Sequence, residues 1–148
     1  MNDAARRPRI VVGVDGSEQS RQALRWAARQ AELTGGRLEV LTTWELPTTF
    51  GWVPPYPPDF NPAQDAQRAA EEEVAGVLRE HPDVEVHVTV VEGHPVPPLV
   101  QASHGADLLV LGSRGHGEFA GMLLGSVSQH CVAAAACPVL VWRHGDDA

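Results

Sequence analysis

Apolar positions along the chain form short dense runs separated by longer stretches with a helical period. "RIVVGVD", Arg9 to Asp15, is β-branched without alternation, the pattern of a strand buried on both faces of a parallel sheet. It gives out at Asp15-Gly16-Ser17, where Ser17 is a good helix N-cap. The residues that follow set Ala23, Leu24, Ala27, Ala28 and Ala31 on one helical face and Arg21, Arg25 and Arg29 on another, read as a solvated stripe. "TGG" at Thr34 to Gly36 closes that helix, and "RLEVLTTW" from Arg37 is a second strand.

Asn61-Pro62 pairs an N-cap with a proline suited to the first helical position, and opens a helix running to about Glu80. Its acidic triplet, Glu71 to Glu73, is read as solvated. "VEVHVTVVEG", Val84 to Gly93, alternates at first and then turns apolar, as expected of a strand nearer the sheet edge. A short helix over roughly Pro97 to His104 precedes a fourth strand, "DLLVLG" from Asp107. A helix from Ser126 to Ala135 and a fifth strand, "PVLVWR" from Pro138, complete the series. Strand and helix alternate throughout, which predicts a doubly wound α/β fold: one five-stranded parallel sheet with about four helices over its two faces. Ligands in such folds sit beyond the carboxyl ends of the strands.

The length of 148 residues fits a single domain, 1–148, and 43% hydrophobic with 20% charged residues is ordinary for a globular chain. No window approaches the apolar length of a membrane span, and "MNDAARRPRI" lacks the apolar core of a secretory signal, so a cytoplasmic protein without a membrane is expected. The net charge of −8 and the absence of a dense basic run argue against nucleic acid as a partner. All eleven basic residues are arginine. Without lysine there is neither a Walker-type loop nor a lysine base. Cys131 and Cys137 lack metal or redox spacing and read as buried thiols, and the histidines show no metal-ligand spacing. Between Pro47 and Pro62 lie six prolines with Phe50, Trp52, Tyr56 and Phe60, which predicts a stiff surface loop. Its rings either form a lid or partner site or tuck against the domain.

"VLGSRGHGEFAGMLLGSVSQH" carries the candidate chemistry. Gly112, Gly115, Gly117, Gly121 and Gly125 are a costly concentration of backbone freedom, and they lead into a helix whose first amides have no intrahelical acceptor. A phosphate there can accept from the amides and hydroxyls of Gly125, Ser126, Val127 and Ser128. Arg114 and His116 either add side-chain donors or are simply solvent-exposed. Ser113 lacks a placed base, and no G-x-S-x-G elbow exists, so a hydrolase is disfavoured. Gly115-x-Gly117-x-x-Ala120 formally fits a dinucleotide fingerprint, but no helix begins where that motif needs one. Asp15 ends a strand on the same side as Gly112, facing the crevice or shaping an Asx turn. Ser126 is open to a second reading as a helix cap. Ordering the stretch from Ser113 to Leu124 costs on the order of 10 kcal/mol, so that loop is expected to be mobile when empty.

"GSRGHGEFAGMLLGS" fits G-x2-G-x9-G-[ST], with Gly112, Gly115, Gly125 and Ser126 at the fixed places. With "VVGVDGSEQSRQAL" and "GSVSQHCVAAAACPVLVWR" it resembles the ATP-binding branch of the universal stress protein family over almost the whole chain. The resemblance implies sheet order 3-2-1-4-5 and a nucleotide between the first and fourth strands. It places Gly13 and Asp15 near the nucleoside and ribose, with Asp15 also near a Mg2+ that accompanies the phosphates, and Thr43 backbone at adenine. Gly112, Ser113, Arg114, Gly115, His116 and Gly117 would wrap ribose and phosphates, and Gly125 to Ser128 would hold the phosphates. It further implies a homodimer through the C-terminal strand, 138–143. The expected function is binding of ATP, with AMP or ADP as alternatives, to regulate a dimer or an unidentified protein partner. A slow ATPase or phosphotransferase at the same site, and a nucleotide-free interaction module, remain the other readings. The segment 47–62 matches no motif of the family.

Overall fold

The computed structural model describes residues 6–46, 51–113 and 124–143. Its elements follow the order β1 (Arg9–Gly13), α1 (Glu18–Thr34), β2 (Arg37–Trp44), α2 (Pro62–Glu80), β3 (Glu85–Glu92), α3 (Val96–Ser103), β4 (Leu108–Gly112), α4 (Ser126–Ala134) and β5 (Val139–Trp142). The sheet order is β3-β2-β1-β4-β5 and every pairing is parallel. The sheet is thus the doubly wound arrangement that the alternation predicts.

The local signals act as their chemistry requires. Ser17 Oγ accepts from the Ser20 amide at 3.2 Å, and Asn61 Oδ1 accepts from the Gln64 amide at 3.1 Å with Pro62 just inside the helix. β5 begins one residue later than the apolar run suggests. Pro138 has no N–H for a ladder and contributes only its carbonyl, which accepts from the Leu109 amide at 2.9 Å. α3 begins earlier than expected, at Val96, because Pro97 and Pro98 fall in its first turn, where a missing N–H breaks no helical bond.

Two apolar layers sandwich the sheet. On one face, Leu24, Ala27, Ala28 and Ala31 of α1 and Val74 and Val77 of α2 pack on Ile10, Val12, Leu38, Val40 and Val110. On the other, Leu99 of α3 and Cys131 of α4 pack on Val11, Leu41, Leu109 and Leu111. Burial pushes the Cys131 thiol up to about 11, so it is protonated and inert at neutral pH, as a core thiol should be. Cys137 is half-buried. The expected arginine stripe, Arg21, Arg25 and Arg29, is exposed.

Polar contacts tie the strand beginnings together at the amino end of the sheet. Asp107 accepts from the Arg9 amide at 2.8 Å, and Arg9 Nε meets Glu39 at 2.9 Å. Within the described part of the 47–62 segment, Tyr56 and Phe60 stack with ring centroids 4.4 Å apart, while Trp52 remains 62% exposed. Phe60 is itself 38% exposed.

Leu24 is 1% exposed and central to the first layer. Leu24→Ala should reduce stability by about 2–5 kcal/mol in urea unfolding, with the sheet retained by circular dichroism.

Candidate functional site

The chain reverses its direction of travel across the sheet at β1, which pairs with β2 on one side and β4 on the other. Loops leaving neighbouring strands diverge there, one towards each layer of helices, and leave a crevice. A cavity of about 650 Å³ occupies this place. Its lining includes Gly13, Asp15, Thr43, Gly112, Gly125, Val127 and Ser128, seven of the residues singled out in the sequence, from four separate chain segments.

The β1–α1 turn is built around Asp15. Its Oδ1 accepts from the Ser17 amide at 2.9 Å, closing an Asx turn, and Gly16 takes a φ of 82° that its lack of a Cβ permits. Asp15 therefore shapes the turn and borders the cavity at once, so the two readings of this residue coexist. Gly112 has a packing reason of its own. A Cβ there would lie 3.1 Å from Gln19 Cβ and 3.2 Å from the Ser20 nitrogen, so glycine lets the first turn of α1 close against the end of β4.

Ser113 is held by three elements. Its amide donates to the Trp142 carbonyl at 2.8 Å, its carbonyl accepts from the Gly125 amide at 2.6 Å, and its hydroxyl donates to Gln19 Oε1 at 2.6 Å. It is buried and is not part of the cavity wall. The expected helix cap falls one position earlier than Ser126. Gly125 is the N-cap and no side chain caps α4, so the amides of Ser126, Val127 and Ser128 precede the first helical bond, from Gln129 N to Gly125 O. Ser126 is exposed at this open end. Ser128 is buried, with its hydroxyl donating to the Gly112 carbonyl at 2.6 Å. Arg114, Gly115, His116 and Gly117, with the rest of 114–123 and the mobility expected of it, lie outside the described residues.

Helix α2 supplies a wall that sequence reasoning missed. Ala66, Ala69, Ala70 and Glu73 line the cavity at i, i+3, i+4 and i+7, one face of the helix. Glu73 thus departs from its expected solvated state. Its Oε2 is buried and has no hydrogen-bond partner among the described residues, whereas Glu71 and Glu72 are exposed. Burial, with the charge of Asp15 added, pushes the Glu73 carboxyl above the ordinary range, and the Arg21 guanidinium opposes this. Arg21 is itself engaged, at 2.7 Å from Glu18 Oε2 and 2.7 Å from the Gly16 carbonyl. The helical spacing from Ala66 to Val77 was the signal for this wall: a carboxylate falling on the stripe that packs inward.

These features define a doubly wound α/β domain with a switch-point crevice, floored by strand ends and bordered by an uncapped helix. The chain belongs to the universal stress protein family, whose model matches residues 7–143. A universal stress protein of Mycolicibacterium smegmatis is 37% identical over 135 residues, covering 90% of this chain and 45% of that protein. The chain spans less than half the length of the curated relatives it matches. A crystal structure of a universal stress protein in complex with cAMP is 27% identical, with a TM-score of 0.65 over 93% of this chain and 97% of that one. The Archaeoglobus fulgidus universal stress protein in complex with dAMP shares the fold at 22% identity and a TM-score of 0.60, covering 93% of this chain and 98% of that one.

The Glu73 shift has a sign. A carboxyl that holds its proton more tightly when folded contributes stability that is complete below the unfolded value, about 4.3, and is lost as pH rises through the folded value. Glu73→Gln should therefore melt at a higher temperature than the parent protein at pH 7, and the difference should vanish when melts are repeated near pH 4.

Proposed function

We propose that this chain binds an adenine nucleotide in the crevice between β1 and β4 and acts as a nucleotide-responsive regulator rather than a fast enzyme. The observation that carries the reading is the convergence of Gly13, Asp15, Thr43 and the open end of α4 on one cavity of about 650 Å³. In this reading the nucleoside lies by the ends of β1 and β2, and the phosphates meet the amides of Ser126, Val127 and Ser128. Arg114, Gly115, His116 and Gly117 complete the phosphate cradle, Gly112 and Gly125 frame it, and Ser113 anchors its entrance. The cAMP and dAMP complexes of proteins sharing the fold support a nucleotide as the ligand class.

ATP with Mg2+ is the proposed ligand, with AMP and ADP as alternatives. Among the described residues no group of three or more histidine, cysteine or carboxylate side chains is placed to hold a metal. Asp15 alone offers the cavity a carboxylate in the expected position, which fits a metal carried in on phosphate oxygens and completed by one protein ligand. When bound, such an ion would neutralise phosphate charge. Phosphoryl transfer also needs a positioned nucleophile and cations on the developing charge, and the described lining has neither.

Calorimetry with ATP and Mg2+, ADP and AMP tests the reading, together with mass spectrometry of gently purified protein for a retained nucleotide. Binding is expected, weakened roughly tenfold or more by Asp15→Ala. Labelled ATP should be hydrolysed more slowly than about one turnover per minute; faster turnover would favour an ATPase or phosphotransferase. No binding of any of the three would favour a nucleotide-free interaction module.

The same reading includes a homodimer through 138–143. The carbonyls of Pro138 and Trp142 accept from Leu109 and Ser113, so the intervening Val139 and Val141 turn their backbone groups to the open side of β5. A second copy would also supply a second domain, in keeping with relatives about twice as long. Light scattering should find a dimer, and Val141→Pro, which deletes an outward N–H, should shift it to monomer while leaving the secondary structure unchanged.

A further inference from the structure

We propose that Glu73 is a ligand-contacting residue that selects the nucleoside end of the bound molecule, its carboxylate accepting a hydrogen bond from a sugar hydroxyl or base amino group. This rests on the nucleotide reading and adds a residue of α2 to it.

The side chain lines the cavity, and its Oε2 has no partner among the described residues; that oxygen is sealed from solvent, so a ligand donor reaches it when the carboxyl turns about its terminal torsion into the cavity. A carboxylate short of donors gains more from a new one than a well-hydrated carboxylate does. Among the described residues none provides it, and the nearby cation, Arg21, donates instead to Glu18 and Gly16. The cavity chemistry narrows the choice of donor further. Asp15 and Glu45 also line it, and no arginine or histidine among the described residues does. Phosphate oxygens carry negative charge and offer no hydrogen, so they gain nothing at this wall. Sugar hydroxyls and a base amino group do offer hydrogens. Ala66, Ala69 and Ala70, on the same face of α2, have side chains small enough to let a flat base approach that wall. Burial of the carboxyl adds to the case, since a group held out of water without a partner is costly unless it serves a ligand.

The test uses the full chain, AMP, and AMP analogues lacking the 2′-hydroxyl, the 3′-hydroxyl or the 6-amino group, titrated by calorimetry into the parent protein, Glu73→Ala, Glu73→Gln and the exposed control Glu72→Gln. Glu73→Ala should bind AMP roughly tenfold or more weakly, Glu73→Gln should keep most of the affinity through its remaining carbonyl, and Glu72→Gln should match the parent. One analogue should lose affinity for the parent but not for Glu73→Ala, a difference of differences that general charge effects cancel out of. Equal losses for every analogue in both proteins would overturn the proposal, as would unchanged or tightened AMP binding in Glu73→Ala with thermal melts showing it folded. Failure of the parent to bind AMP or ATP would instead sink the nucleotide reading, and this inference with it.

Discussion

The reversal at β1 is the constraint on which the rest of the molecule depends. β1 is 0–2% exposed at Ile10, Val11 and Val12, and it hydrogen-bonds on both sides to strands whose helices cover opposite faces. Parallel crossovers are right-handed, so the steps β1 to β2 and β2 to β3 put α1 and α2 on one face, and the steps in the opposite direction, β3 to β4 and β4 to β5, put α3 and α4 on the other. A gap above the carboxyl ends of β1 and β4 is then unavoidable. The site is not carved into the fold but left over by its winding.

What surrounds the gap is unevenly charged. The lining combines the open amides of α4, with the partial positive charge of its helix end, and the carboxylates of Asp15, Glu45 and Glu73. A molecule with an anionic tail and a donor-bearing head would find one orientation strongly preferred. Polarity of this kind discriminates more by direction than by affinity, because each exposed contribution is small.

Much of this was legible in the sequence. β1, β2 and β4 were readable because burial on both faces leaves no alternation, and β3 because edge position restores it, as the alternating exposure of Val86, His87 and Val88 bears out. The caps Ser17 and Asn61 were readable because their hydrogen bonds are local. Other features depend on tertiary approach and leave little trace in the residue string. Gly112 looks like part of a glycine series, yet its neighbour Gln19, far away in sequence, explains it. Ser128 looks like a free hydroxyl until Gly112 lies 2.6 Å away. Glu73 was hidden inside an acidic triplet, although its helical phase with Ala66 and Ala70 distinguishes it from Glu71 and Glu72.

Ser113 has a mechanical consequence. Three elements grip this one residue, through Trp142, Gly125 and Gln19, at the point where β4 ends and the glycine-rich stretch starts. A pull strong enough to loosen this clamped joint would reach the final rung of the outermost strand before it reached any helix interior.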